Sequence, residues 1–154
     1  MEEELEKLNE LSDFFHRMNR KILLLKLINQ AKSEYDKYDY SAGRRTLVQA
    51  CLIDRKNSTV LRGLGCIHQF SGKLELAKRY FKTALKYSDN KEIEYTLLGM
   101  VYYLQDNLDE AIVNFNCAID NNENYEKAYE GRNQAMLENH LKIIDLQEAL
   151  KKYF

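Results

Sequence analysis

Three histidines and three cysteines are the side chains best equipped to act as general acids and bases, nucleophiles or soft metal ligands, and each needs partners close by to do so. His16, His68 and His140 lie in three different segments, and Cys51, Cys66 and Cys117 are widely spaced with no CxxC pair. That spacing fits neither a disulfide framework nor a zinc site, so reduced thiols in packing roles are expected. Gly63-Leu64-Gly65 has two glycines of a phosphate loop, but no strand precedes it, and the third glycine and the Lys-Ser/Thr pair are missing. No catalytic residue, metal or cofactor is predicted, and the chain is expected not to be an enzyme.

The elements that carry these side chains are helices. The 154 residues contain no proline, no tryptophan and six glycines, with 45% hydrophobic and 31% charged residues. Such a chain can bury a core, lets helices run on and offers little material for β-turns. A net charge of -1 gives no excess of cations to displace counterions from a phosphate backbone, so nucleic acid is not expected as a ligand. The longest apolar run, Ile22 to Leu25, ends at Lys26 and is far shorter than the roughly 20 residues that span a bilayer. The acidic start, Met1-Glu2-Glu3-Glu4, is the reverse of a secretory leader, and a cytoplasmic location without membrane contact is expected.

Rows of 34 residues beginning at Leu24, Ser58, Glu92 and Glu126 align column by column. The fourth column reads Leu27, Leu61, Tyr95, Tyr129, and the eighth reads Ala31, Gly65, Gly99, Asn133. Later columns read Tyr40, Leu74, Leu108; Gly43, Ala77, Ala111; Leu47, Phe81, Phe115; and Ala50, Ala84, Ala118. Within a row these positions recur every three or four residues, which places them on one helical face. Small residues mark where two backbones approach and large ones fill the space alongside, so each row reads as helix, turn, helix. Asp39, Ser71-Gly72 and Asp106-Asn107 stand at the turns.

Leu98-Gly99-x-x-Tyr102 followed by Ala111-x-x-x-Phe115-x-x-Ala118 resembles the signature of the tetratricopeptide-repeat family. The resemblance covers about residues 24 to 154. It implies an all-α, right-handed superhelical solenoid with repeats at about 24–57, 58–91 and 92–125 and a divergent capping pair of helices at 126–154. Residues 21–154 would then form the repeat domain and residues 1–20 an additional N-terminal helix. Tyr or Leu in place of the family's tryptophan, and the absence of its proline, are departures.

The family binds peptides along the concave face lined by the first helix of each repeat. Carried onto this chain, those columns give Leu25, Ile28, Asn29 and Lys32 in the first row, and Thr59, Arg62 and Cys66 in the second. The third row supplies Ile93, Thr96, Leu97, Met100 and Tyr103, and the fourth Lys127, Glu130 and Gln134. The implied groove has an apolar middle with basic residues at Lys32, Arg62 and Lys127, suited to a protein or peptide segment with hydrophobic anchors and some acid. Some members of the family clamp a C-terminal carboxylate. Cys66, Leu97 and Gly131 stand where that clamp needs polar donors, and binding of such a tail is not expected.

Leu5, Leu8, Leu11, Phe15 and Met18 form an apolar stripe outside the repeat columns, with Glu2, Glu3 and Glu4 at the positive end of the helix dipole. The stripe must bury against the first repeat, the groove or a neighbouring molecule. Three functions therefore stand side by side. One is an interaction module that holds a peptide in its groove, another a dedicated chaperone of a secreted or aggregation-prone client, and the third a homo-oligomer assembled through the N-terminal helix.

Overall fold

Turn chemistry recurs at the same place in every repeat. In the computed structural model, which describes residues 2–153 and their side chains over 5–151, Tyr38, Gly72 and Asp106 all have φ between 61 and 71°. They occupy one column of the 34-residue rows. The left-handed conformation at that column reverses the chain, and the next residue opens the following helix. Asp39 accepts a hydrogen bond from the Ala42 N–H at 2.9 Å, and Asn107 accepts one from Glu110 at 3.3 Å. Each satisfies one of the amide donors that a helix start leaves open.

Seven helices follow among the described residues: α1 (Glu2–Asp36), α2 (Tyr40–Ile53), α3 (Ser58–Phe70), α4 (Leu74–Leu85), α5 (Lys91–Leu104), α6 (Leu108–Asn121) and α7 (Glu126–Tyr153). The hairpins α1/α2, α3/α4 and α5/α6 are the three repeats read from the sequence. Packing runs between successive helices, with α5 also touching α7, as in a quasi-one-dimensional stack.

Large side chains wedged against glycine join the helices within a hairpin and, from the other side, the helix that follows it. A Cβ on Gly65 would stand 2.4 Å from the Phe81 ring, and one on Gly99 would stand 2.7 Å from the Phe115 ring. The following hairpin closes the other side: a Cβ on Gly63 would meet Leu47 at 2.8 Å, and one on Gly131 would meet Phe115 at 2.5 Å. Phe81 and Phe115 are 0% and 1% exposed. The Gly63-Leu64-Gly65 pair is therefore packing, as its position within a repeat helix suggested.

Both ends depart from the expected outline. Among the described residues no separate N-terminal helix exists: α1 is one helix of 35 residues, because no glycine or proline lies between Met18 and Leu24, and Asn19, a residue type that can cap a helix, stays within it. No pair of helices caps the C-terminus either, since α7 runs for 28 residues without a turn. Asn133, in the column filled elsewhere by Gly65 and Gly99, is exposed, because no second helix folds back over it. The side chains of Glu2, Glu3, Glu4 and Tyr153 lie outside the described residues.

Gly65→Ala should be destabilising although alanine is the better helix former. Overpacking against a buried ring costs about 1–3 kcal/mol, more than the roughly 1 kcal/mol gained in helix propensity. A fall of several degrees in the thermal midpoint is expected; a rise would show that the Phe81 ring moves freely aside.

Candidate functional site

α1 and α3 stand side by side as the first helices of two successive repeats, and a cleft of about 230 Å³ opens between them. Ile28, Lys32 and Tyr35 of α1 face Thr59, Arg62 and Cys66 of α3, with Leu47 of α2 beneath. Their positions follow from the helical period. Ala31 and Ile67, each 3% exposed, are the most buried residues of the lining, and Ile28, Lys32 and Tyr35 lie with Ala31 along the same side of α1.

The structure thus gathers Ile28, Lys32, Thr59, Arg62 and Cys66, five of the expected groove residues, around one cleft. The others are distributed differently. Thr96 is 5% exposed, so it lies inside the stack. Leu97 is half-buried and packs on the cluster of Ala77, Phe81, Leu98 and Val101, because its column faces the second helix of the preceding repeat. Ile93 is half-buried, Met100 is exposed, and Lys127 is exposed on α7. Tyr103 is engaged by α7. Its hydroxyl donates to Glu138 at 2.5 Å and accepts from the Gln134 amide at 3.2 Å, while Lys142 reaches Asp106.

Electrostatics in the cleft centre on a residue that the column reading passed over. Glu94 is 0% exposed, in a column that Val60 and Ala128, both fully buried, fill in the adjacent rows and the exposed Lys26 in the first. The Arg62 guanidinium is 3.7 Å away, and both Glu94 carboxylate oxygens lack a hydrogen-bond partner within the chain. A buried carboxylate needs a countercharge, so Glu94 holds Arg62 at the groove wall and offsets part of its charge. Tyr35 was passed over too, although it occupies the same column as Tyr103. Burial pushes its hydroxyl up to about 12. Burial likewise pushes the Cys66 thiol up to about 11, with Arg62 lowering and Glu94 raising it.

The histidines remain apart. His68 is 8% exposed and stacks on Tyr80 at 5.3 Å, the His16 ring hydrogen-bonds to the Ser12 carbonyl oxygen within α1, and His140 is exposed on α7. Among the described residues no three potential metal ligands come together, and no helix is long and apolar enough to cross a membrane.

A face built from helical hairpins in series, with a part-apolar cleft between first helices, defines a helical-repeat solenoid. Residues 63–91 match the tetratricopeptide repeat; no curated protein is similar to the chain. Among solved structures, the chain superposes on an O-GlcNAc transferase of Thermobaculum terrenum with a TM-score of 0.72 and 21% identity, over 76% of this chain and 22% of that one. It thus spans about a fifth of that enzyme. The type III secretion chaperone SycD of Yersinia enterocolitica, in complex with a peptide of the translocator YopD, gives 0.68 and 17%, over 75% of this chain and 94% of that one. The Sgt2 tetratricopeptide-repeat domain of Aspergillus fumigatus gives 0.70 and 17%, over 76% and 79%. Residues 63–91 thus carry a tetratricopeptide repeat, and the whole array has the fold of tetratricopeptide-repeat solenoids.

Two predictions follow from the titrating groups. A thiol near pKa 11 is almost wholly protonated at neutral pH, and the thiolate is the reactive form. Alkylation of Cys66, followed by peptide mass spectrometry, should keep accelerating from pH 7 to pH 9.5; a plateau near pH 8 would contradict its burial. For His68, burial first, then Lys73 and Arg44, lower the pKa. Below the ordinary value of about 6.5 the unfolded chain takes a proton that the folded chain refuses, so stability falls with falling pH until the lowered pKa is passed. His68→Tyr should therefore narrow the drop in thermal midpoint between pH 7.5 and pH 5.5, and an unchanged drop would assign the acid sensitivity elsewhere.

Proposed function

We propose that the chain is a protein-interaction module that holds a peptide or protein segment against the first helices of its repeats, anchored in the cleft between α1 and α3. The observation that carries this reading is the pairing of an apolar floor, made by Ile28, Leu47 and Tyr35, with the cations Lys32 and Arg62 at its edge. A segment that places one hydrophobic side chain in the cleft and an acid beside Lys32 fits that chemistry. Because Glu94 already offsets Arg62, Lys32 supplies more of the attraction. Binding here consists of burial on a preformed surface with no bond made or broken.

The likeness to SycD in its peptide complex supports the narrower alternative, a chaperone that keeps one client segment covered. That chain is matched over 94% of its length, so the likeness extends to a small protein that is little more than the repeat array. An adaptor exchanges partners, whereas a chaperone of this kind stays with its client from synthesis onward.

Selecting from a displayed library of random 12-residue peptides on the full chain, then titrating a recovered peptide by fluorescence anisotropy, tests the reading. Recovered sequences should pair an apolar anchor with Asp or Glu, and Lys32→Glu should weaken binding about tenfold, the loss of one charge-assisted contact. Lys82→Glu, on the exposed side of α4, should leave binding unchanged. Sequences without acid, or equal effects of the two substitutions, would contradict it.

A further inference from the structure

α1 carries more apolar surface than one molecule covers. Leu8, Leu11, Phe15, Met18, Ile22 and Leu25 are all 38–63% exposed, so neither the first repeat nor the groove of the same molecule receives the stripe. Their spacing alternates three and four residues from Leu8 to Leu25. That is the a/d seam of a coiled coil, narrower than the stripe of a helix that packs on a globular body. The seam stops where Asn29 and Lys32 take the next two positions, the latter already at the cleft.

The seam also points away from the molecule. Leu24, Leu27, Ile28 and Ala31 form or join the core cluster beneath the first repeat. At 100° per residue they lie on the side of α1 nearly opposite Ile22 and Leu25. Arg20 donates to the Ile53 carbonyl at 3.0 Å, and beyond it residues 5 to 19 are exposed throughout. About 20 Å of helix therefore projects past the body, on a length that water alone supports poorly.

Charge decides what can cover it. The first part of α1 carries Glu2, Glu3, Glu4, Glu6, Glu10 and Asp13 against Lys7, and the next part carries Arg17, Arg20, Lys21 and Lys26 with no acid. A second α1 running antiparallel lays the acidic part on the basic part at both ends; a parallel one lays like on like.

We propose that two copies of this chain pair through α1 as an antiparallel coiled coil, joining two solenoids at their first-repeat ends. The layers are then Leu8 with the partner's Leu25, Leu11 with the partner's Ile22, and Phe15 with the partner's Met18, the last a sulfur–aromatic contact. Flanking positions set Phe14 beside the partner's Lys21, a cation over a ring. In the parallel register Lys21 would instead face the partner's Lys26. The grooves of the two copies stay open, since the apolar seam ends before Lys32.

Sedimentation equilibrium of the full chain at tens of micromolar should give twice the 18.2 kDa chain mass. Phe15→Glu with Ile22→Glu should give the single mass, with unchanged thermal midpoint of the repeat body. Orientation is read by mixing Leu11→Cys protein with Ile22→Cys protein under mild oxidation and mapping links by peptide mass spectrometry. A link between positions 11 and 22 of different copies is expected, and neither variant alone should link that position to itself. A monomeric wild type, a self-link at position 11, or a mass that grows without limit because α1 packs on α7 of the next copy, would each overturn the proposal.

Discussion

Phe81 and Phe115 each occupy a space that exists only because the helix facing them has no Cβ there. A phenyl ring is too thick to pass between two helices bearing side chains at the crossing, so the glycine fixes how near the helices come, and the ring fixes their rotation. Leu47 does the same work in the first repeat against Gly63. Because the ring of one hairpin is closed over by the next helix, neighbouring hairpins stack in register, although packing within a hairpin is the more extensive. The array inherits its regular stacking from that contact, and the first helices are thereby presented side by side.

Presentation and occupation are different matters along this surface. At the first joint, α1 and α3 leave an open cleft with cations at its edge. Farther along, α7 sends Glu138 and Gln134 to Tyr103, and Lys142 to Asp106, so the last stretch is already engaged by the chain's own terminal helix. Among the described residues α5 and α6 pack on α7, and no hairpin covers its outer face. In α7 that face remains exposed at Leu137, Leu141 and Leu146; at the other end α1 projects an ordered heptad seam.

The repeat was legible because packing geometry repeats: the same crossing needs the same small and large residues every 34 positions, so the columns name the wedge before any coordinates do. Function-bearing positions follow no such rule. Leu97 falls in a nominal groove column, yet it fills the space that Gly63 and Gly131 leave small in their own rows, and it turns into the core. Glu94 stands as a charge between Val60 and Ala128 in its column, where Lys26 of the first row is charged too, but its role depends on Arg62 one repeat earlier, a pairing no single row contains. The ends were hidden for another reason. The start of the repeat pattern implies a boundary after residue 20, whereas no glycine or proline stands there to end a helix, and Asn19 continues it instead of capping. The C-terminal helix likewise has no glycine or proline after Leu137 to reverse it, and Asn139 and Asp145 stay within it.

The central claim is that the opening between the first helices of repeats one and two is where a partner segment is held. Amide hydrogen exchange on the full chain, with and without a saturating selected peptide, tests it without altering a residue. The account predicts added protection confined to the second half of α1 and to α3, around Ile28, Lys32, Arg62 and Cys66. Protection that appears instead on the outer face of α7, or on the second helices of the repeats, would contradict it.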